Sequence, residues 1–245
     1  MRVAVVSDIH GNINALEAVL AALETEQPDE LWCLGDLVGY GARPNECCTT
    51  IEARASICLA GNHDLAVRGT IDLAEFSGDA GAAARWTRDA LSPEALAFLQ
   101  RLEPKGTRAG VALFHASARD PVWEYVLSDE AARASLAATE EPVVLVGHSH
   151  AALYVSIWGE DDDDVVGGLA PAGTEVDLSD ARTLLNPGSV GQPRDGDPRA
   201  AYLLLDLDAR SASFRRVEYD VERTQAEIRE AGLPDTLALR LQMGQ

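Results

Sequence analysis

The first sixty residues alternate between two periodicities, and this alternation restricts the fold more than any other feature of the chain. Val3–Ser7 is a short apolar run rich in β-branched residues, the pattern of a strand buried on both faces. From Asn12 to about Glu24, the residues Ile13, Leu16, Val19, Leu20 and Leu23 recur at helical spacing, with Asn12 or Asn14 placed to cap the N-terminus. Leu31–Leu34 reads as a second strand, Pro44–Ala53 as a helix with proline in its first turn, and Ser56–Leu59 as a third strand. A β-α-β-α-β order joins parallel strands through right-handed crossovers, so the chain is read as α/β.

The pattern continues with a change of character. Ile71 to Leu102 is helical, and Ser92-Pro93-Glu94 marks a helix start inside it. Val111–Phe114 and Val143–Val146 are apolar strands, with a helix around Ser128–Thr139 between them. Leu153–Ile157, Thr183–Leu185, Ala201–Leu207 and Ser213–Glu218 form a more hairpin-like run of strands. The tail from Val221 to Leu241 is helical and breaks at Gly232-Leu233-Pro234. Gly159 to Asp180 is an acidic, Gly-rich insertion containing Asp161 to Asp164. It lacks the spaced carboxylate-plus-glycine register of a calcium loop and is expected to be a solvated loop. No repeat or linker divides the chain, and one domain over residues 1–245 is expected.

Charge and composition narrow the function. Forty acidic residues against twenty Lys and Arg give a net charge of −20, a field that repels duplex nucleic acid and anionic membranes. An anionic substrate therefore needs a local source of positive charge. At 47% hydrophobic residues the chain buries enough surface to fold. It has no apolar run of the roughly 18 residues that a membrane span needs. The apolar stretch at Met1–Ser7 is too short for a signal peptide, and a cytoplasmic location is expected. The four cysteines, Cys33, Cys47, Cys48 and Cys58, form no C-x-x-C pair, which leaves a zinc knuckle or a redox motif unsupported.

All five histidines, His10, His63, His115, His148 and His150, lie just after a predicted strand in loops of small or polar residues. Their contexts are Ser7-Asp8-Ile9-His10-Gly11, Gly61-Asn62-His63-Asp64, Phe114-His115-Ala116-Ser117 and Gly147-His148-Ser149-His150; Leu34-Gly35-Asp36 adds a carboxylate at a further strand end. A single histidine in a loop is usually only a satisfied polar residue. Here none is left over, and the loops at the carboxyl ends of strands in an open sheet share one edge, where ligands bind. Asp8, His10, Asp36, Asn62, His115, His148 and His150 are too many for one tetrahedral zinc. Mixed carboxylate, imidazole and amide ligation suits a pair of borderline cations such as Mn, Fe, Zn or Ni, with Asp36 able to bridge them through its two oxygens.

These blocks, in this order, resemble the calcineurin-like metallophosphoesterase superfamily, specifically its small bacterial phosphodiesterase-like members. The family pattern D-x-H, G-D, G-N-H-D/E, H and G-H-x-H is met by Asp8/His10, Gly35/Asp36, Gly61–Asp64, His115 and Gly147–His150, and Asn186–Gly191 is also typical of the bacterial group. The resemblance implies two mixed β-sheets packed face to face as a sandwich flanked by helices. It implies one metal held by Asp8, His10, Asp36 and His150, and a second held by Asp36, Asn62, His115 and His148. His63 would then be the non-ligand histidine, acting as general acid beside a bridging hydroxide in phosphoester hydrolysis.

One departure bears on the substrate. The phosphatase branch of the family reads G-D-x-x-D-R-G, whereas this chain has Gly35-Asp36-Leu37-Val38-Gly39-Tyr40-Gly41. A phosphodiesterase on a small-molecule or nucleotide substrate is therefore expected ahead of a phosphoprotein phosphatase. What orients His63 is open, since Asp64 could do so or could fix the loop backbone. Arg43, Arg119 and Arg194 are the candidate substrate cations, with Tyr40, Trp123 and Tyr125 as candidate base or apolar contacts. Asn186 and Ser189 either line the site or form a turn. A non-catalytic metal-binding scaffold or regulatory module of the same fold is the alternative, and retention of His63 and every ligand favours the enzyme. A nuclease on extended DNA is disfavoured by the acidic charge and the lack of basic clusters, while a short single strand or a dinucleotide stays open as a substrate.

Overall fold

The computed structural model describes residues 1–159 and 164–245. The chain runs β1 (Arg2–Val6), α1 (Ile13–Glu26), β2 (Glu30–Cys33), α2 (Pro44–Arg54), β3 (Ile57–Cys58), α3 (Asn62–Val67), α4 (Gly78–Ala90) and α5 (Pro93–Leu99). It continues with β4 (Lys105–Arg108), β5 (Val111–Phe114), α6 (Asp129–Ala137), β6 (Val143–Leu145), β7 (Ala152–Trp158), β8 (Asp164–Leu169) and β9 (Glu175–Asp177). The last part holds β10 (Arg182–Pro187), β11 (Ala200–Asp206), β12 (Ser211–Val217), α7 (Val221–Glu230) and α8 (Asp235–Leu239). The expected cap on α1 forms, with Asn12 Oδ1 accepting from the Ala15 amide at 3.1 Å.

The strands make two mixed six-stranded sheets, in the orders β3-β2-β1-β11-β12-β9 and β4-β5-β6-β10-β7-β8. The β1–β2 and β2–β3 pairs are parallel, as the alternating periods demand. Successive residues of β1 serve opposite faces. Val3 and Val5 pack with Trp32, Leu113, Leu145, Leu185, Leu203 and Phe214 between the sheets. Ala4 and Val6 pack outward against Leu16 and Val19 of α1 and Ile51 of α2. On the far side of the second sheet, Ala112, Val144 and Leu184 meet Ala132 and Leu136 of α6. The result is a sandwich of two sheets with helices on both outer faces, and strands apolar on both sides are its sequence signature. Among the described residues no helix is long and apolar enough to cross a membrane.

A polar clasp joins the sheets at one edge. Glu30 of β2 accepts two hydrogen bonds from Arg108 of β4, at 2.6 and 2.7 Å, and one from the Trp32 indole at 2.6 Å.

Three elements differ from the sequence expectation. The acidic stretch read as a loop contributes two strands, because Val165 and Val166 of β8 extend the hydrogen-bonding row of β7 and Val176 of β9 packs beside β12. Asp161, Asp162 and Asp163 lie outside the described residues. The helical stretch expected from Ile71 to Leu102, with a helix start at Ser92-Pro93-Glu94, begins as a short 3-10 turn at Leu73–Glu75 before α4, and α5 starts where expected with the Ser92 hydroxyl as its cap. Helix α3, only six residues long, starts inside the Gly61–Asp64 motif, so its amide-bearing end and its motif side chains occupy the same turn.

Candidate metal centre

The loops that follow β1, β2 and β3 in one sheet and β5 and β6 in the other open onto the same edge of the sandwich. Backbone hydrogen bonds lock the first two together: the Asp8 amide donates to the Gly35 carbonyl at 3.0 Å and the His10 amide to the Asp36 carbonyl at 2.9 Å. Asp8, His10, Asp36, His148 and His150 all adopt left-handed backbone, with φ of 55°, 50°, 52°, 61° and 59°. Asp and His tolerate this region better than most residues, yet each costs on the order of 1 kcal/mol, held by the surrounding bonds. Such conformations turn consecutive functional side chains inward. Gly61 is required nearby, since a Cβ there would strike the Asp36 carboxylate.

Two sets of side chains converge. Asp8, His10, Asp36 and His150 each bring a ligand atom to within 4.8 Å of the others, and so do Asp36, His115 and His148. Asn62 joins the second set, its Oδ1 lying 3.2 Å from His115 Nε2. Asp36 belongs to both, with Oδ2 at 3.6 Å from His10 Nε2 and 3.5 Å from His115 Nε2. Every one of these side chains is buried.

The imidazoles are aimed from behind. Nδ1 of His10 donates to the Val38 carbonyl at 2.9 Å, Nδ1 of His115 to the Leu34 carbonyl at 3.0 Å, and Nδ1 of His150 to the Gln192 carbonyl at 2.6 Å. Each bond fixes the tautomer and leaves the Nε2 lone pair facing the cluster. His148 is reversed, with Nε2 on the Trp123 carbonyl at 3.2 Å and Nδ1 free. The Nε2 atoms of His10 and His150 consequently meet at 3.0 Å as two acceptors, and Asp8 Oδ1 is buried without a hydrogen-bond partner. A cation between them satisfies all three, so the donor set fits a divalent metal. Electrostatics agree. Burial raises the carboxyls of Asp8 and Asp36 and lowers the imidazoles of His10, His115 and His150, and a bound cation favours the opposite, ligating form of each carboxylate.

His63 stands beside the two sets. Its ring lines a cavity of about 200 Å³, together with Tyr40, Phe76, Trp123, Tyr125 and Arg194. Its Nδ1 has no hydrogen-bond partner and is closed against Gly39, where a Cβ would collide with it. Burial first, then the Arg194 and His148 charges, push the His63 imidazole down to about 3. Asp64 does not orient it. The Asp64 carboxylate accepts from the backbone amides of Leu37, Val38 and Gly61, at 3.0, 3.2 and 2.9 Å, and so fixes the loop.

The candidate substrate contacts separate cleanly. Arg194 lines the cavity, donating to Gln192 Oε1 at 2.8 Å with no carboxylate partner among the described residues, and Tyr125 stacks on His148 at 4.2 Å. Arg43 and Arg119 are not among the cavity-lining residues: Arg43 is bonded to Glu46 and Glu227, and Arg119 to Glu124. Asn186 and Ser189 brace the loops from behind, Asn186 donating to the Gly147 carbonyl at 2.7 Å and Ser189 to the Asp8 carbonyl at 2.7 Å. Phe76 was not anticipated from the sequence. The interruption of the helical pattern at Ser77-Gly78 is the signal that would have placed it on a separate turn.

The chain is similar to known proteins in sequence and fold. The model of the calcineurin-like phosphoesterase superfamily domain matches residues 1–210. An uncharacterized protein of Methanocaldococcus jannaschii is 36% identical over 249 residues, covering 99% of this chain and 98% of that protein. The crystal structure of a metallophosphoesterase from Sphaerobacter thermophilus superposes with a TM-score of 0.89 at 40% identity, covering 100% of this chain and 99% of that one. A hypothetical protein from Pyrococcus horikoshii has the same fold, with a TM-score of 0.79 at 20% identity, covering 100% of this chain and 98% of its own. Sequence match, fold and buried Asp/His cluster lead to one conclusion: this chain belongs to the calcineurin-like phosphoesterase superfamily.

Proposed function

We propose that this metallophosphoesterase is a phosphodiesterase acting on a small-molecule or nucleotide substrate with two metal ions that share Asp36. The observation that carries this reading is the placement of Asp36 Oδ2, about equally far from His10 and His115. One ion would be held by Asp8, His10, Asp36 and His150, the other by Asp36, Asn62, His115 and His148. Mn, Fe, Zn and Ni suit such mixed ligands. When bound, the ions supply positive charge to the phosphoryl oxygens and lower the pKa of water, offsetting the −20 background.

The chain's own residues do the rest. The cavity walls formed by Tyr40, Phe76 and Trp123 exclude bulk water from the phosphate. Arg194 binds a phosphoryl oxygen, and Tyr125 contacts the group beyond it. The water oxygen forms the new bond to phosphorus as the bond to the leaving oxygen breaks; the attacking water's own proton passes to solvent, and His63, which takes up a proton when the anionic phosphate offsets the burial that holds its imidazole down, gives that proton to the leaving oxygen. With ligands drawn from loops of both sheets, residues 1–245 act as one domain. Gly39 and Tyr40 in place of the phosphatase-branch Asp and Arg favour a diester over a phosphoprotein.

Hydrolysis of bis(p-nitrophenyl) phosphate beside p-nitrophenyl phosphate, with Mn²⁺, Ni²⁺, Zn²⁺ or chelator, tests the reading. Metal-dependent diester cleavage that collapses in His63→Ala, with metal content retained, is the expected result. No turnover with any metal despite bound ions would point to a binding scaffold. Preference for the monoester would make the protein a phosphatase.

A further inference from the structure

Among the described residues, Nδ1 of the His63 ring has no hydrogen-bond partner to set the angle of the ring. Its backbone amide is anchored to Asp36 Oδ1 at 2.9 Å, but the imidazole torsion is broad and two-fold, so the ring plane must be set by what surrounds it. Three rings do so. Tyr40 lies 4.5 Å away at an interplanar angle of 55°, His10 at 4.9 Å and 82°, and Phe76 at 4.7 Å and 62°. Gly39 closes the remaining side against Nδ1.

These walls are not equivalent. Tyr40 sits in the same loop as Asp36, and His10 is fixed by its bond to the Val38 carbonyl. Phe76 comes from a separate segment, between the 3-10 turn at Leu73–Glu75 and α4, and is itself nearly buried. It also touches the half-exposed Trp123 at 5.5 Å, so it connects His63 to the mouth of the cavity.

We infer that Phe76 is a positioning residue, one that holds the His63 ring in the plane from which it meets the leaving oxygen, with Tyr40 as the opposing wall. This rests on the reading of His63 as proton donor given above. Edge-to-face contacts here do the work that a hydrogen-bonded carboxylate would otherwise do at Nδ1. A ring free to turn would still fill the cavity but would present its N–H to the leaving oxygen only part of the time. The loss should therefore grow as the leaving group needs its proton more.

Two diesters separate this from general damage to the fold. The p-nitrophenolate of bis(p-nitrophenyl) phosphate departs readily without a proton, whereas the phenolate of diphenyl phosphate benefits from one. Phe76→Leu should lower kcat on diphenyl phosphate about ten-fold more than on bis(p-nitrophenyl) phosphate, a fraction of the roughly 10²–10⁴ that proton transfer supplies. KM and metal content should change little. Phe76→Tyr, which keeps the ring, should recover the wild-type ratio, and Tyr40→Leu should shift it in the same direction as Phe76→Leu. Equal loss on both diesters in Phe76→Leu and Tyr40→Leu, or no loss in either, would overturn the inference. If His63→Ala itself leaves the ratio of the active wild-type enzyme unchanged, it is the proton-donor role that fails.

Discussion

Nε2 of His10 and Nε2 of His150 lie 3.0 Å apart although 140 residues separate them in the chain. Each ring has spent its other nitrogen on a backbone carbonyl, so the two lone pairs oppose each other with nothing to donate between them. Only a positively charged occupant turns that contact into an attraction. Asp36, 3.6 Å from the same His10 nitrogen, extends this demand toward His115.

Asp36→Asn tests the sharing directly. Replacing one carboxylate oxygen by an amide N–H removes a ligand from both sets, and the new donor repels any cation. We expect metal content to fall at both sites together and kcat to drop by about a thousand-fold or more. Elemental analysis after gel filtration, compared with wild type, reads the outcome; full occupancy would show that Asp36 does not bridge.

Asp64 is a prediction about stability. Its carboxylate takes up three backbone amides within the Asp36 and His63 loops. Asp64→Ala leaves those donors buried and unpaired, at a cost of about 2–4 kcal/mol. Urea unfolding followed by circular dichroism measures it, and a change below about 0.5 kcal/mol would mean that water replaces the carboxylate.

Among the arginines, Arg194 alone should affect substrate binding. Arg194→Gln removes the cavity-lining guanidinium and should raise KM for a diester about ten-fold, in line with a charge-assisted hydrogen bond. Arg119→Gln, whose guanidinium faces Glu124, is the control and should leave KM within about two-fold.

The clasp between the sheets predicts a pH dependence. Arg108, with the Trp32 indole behind it, holds the Glu30 carboxyl down to about 2, from an ordinary value of 4.5. A depressed carboxyl stabilises the fold above its unfolded value and loses that contribution as pH falls from 4.5 toward 2. Glu30→Gln should therefore lower the melting temperature at pH 7 by no more than about 3 °C, with the difference from wild type shrinking below pH 4.5. Thermal scans of the two proteins across pH 3 to 7 give the comparison; a constant difference would exclude the ionised clasp as its source.

Much of the fold was legible because burial on both faces leaves an unmistakable trace. Val3 to Val6 must be apolar throughout, since alternate residues face the other sheet and α1. The candidate ligands were legible for a related reason: each follows a predicted strand. What could not be read is how the backbone turns there. Positive φ at Asp8 or His148 has no glycine to announce it and comes from hydrogen bonds between loops distant in sequence. The three candidate arginines look alike on paper, and only the tertiary structure decides which of them has a carboxylate partner. Strands β4 and β8 were invisible for the opposite reason to β1. Lying at sheet edges, they take their order from a neighbour's hydrogen-bonding row and carry little apolar pattern of their own.

The ligand-bearing loops come from both sheets. Asp8, His10, Asp36 and Asn62 hang from the first, and His115, His148 and His150 from the second. A cation held between them would act as a rivet through the sandwich, since neither sheet could keep it once the other had unfolded. Metal binding and cohesion would then be linked: a hundred-fold excess of metal over its dissociation constant would add about 2.7 kcal/mol to the work of separating the sheets. Under the two-metal reading, removing metal should therefore weaken the fold as well as the activity.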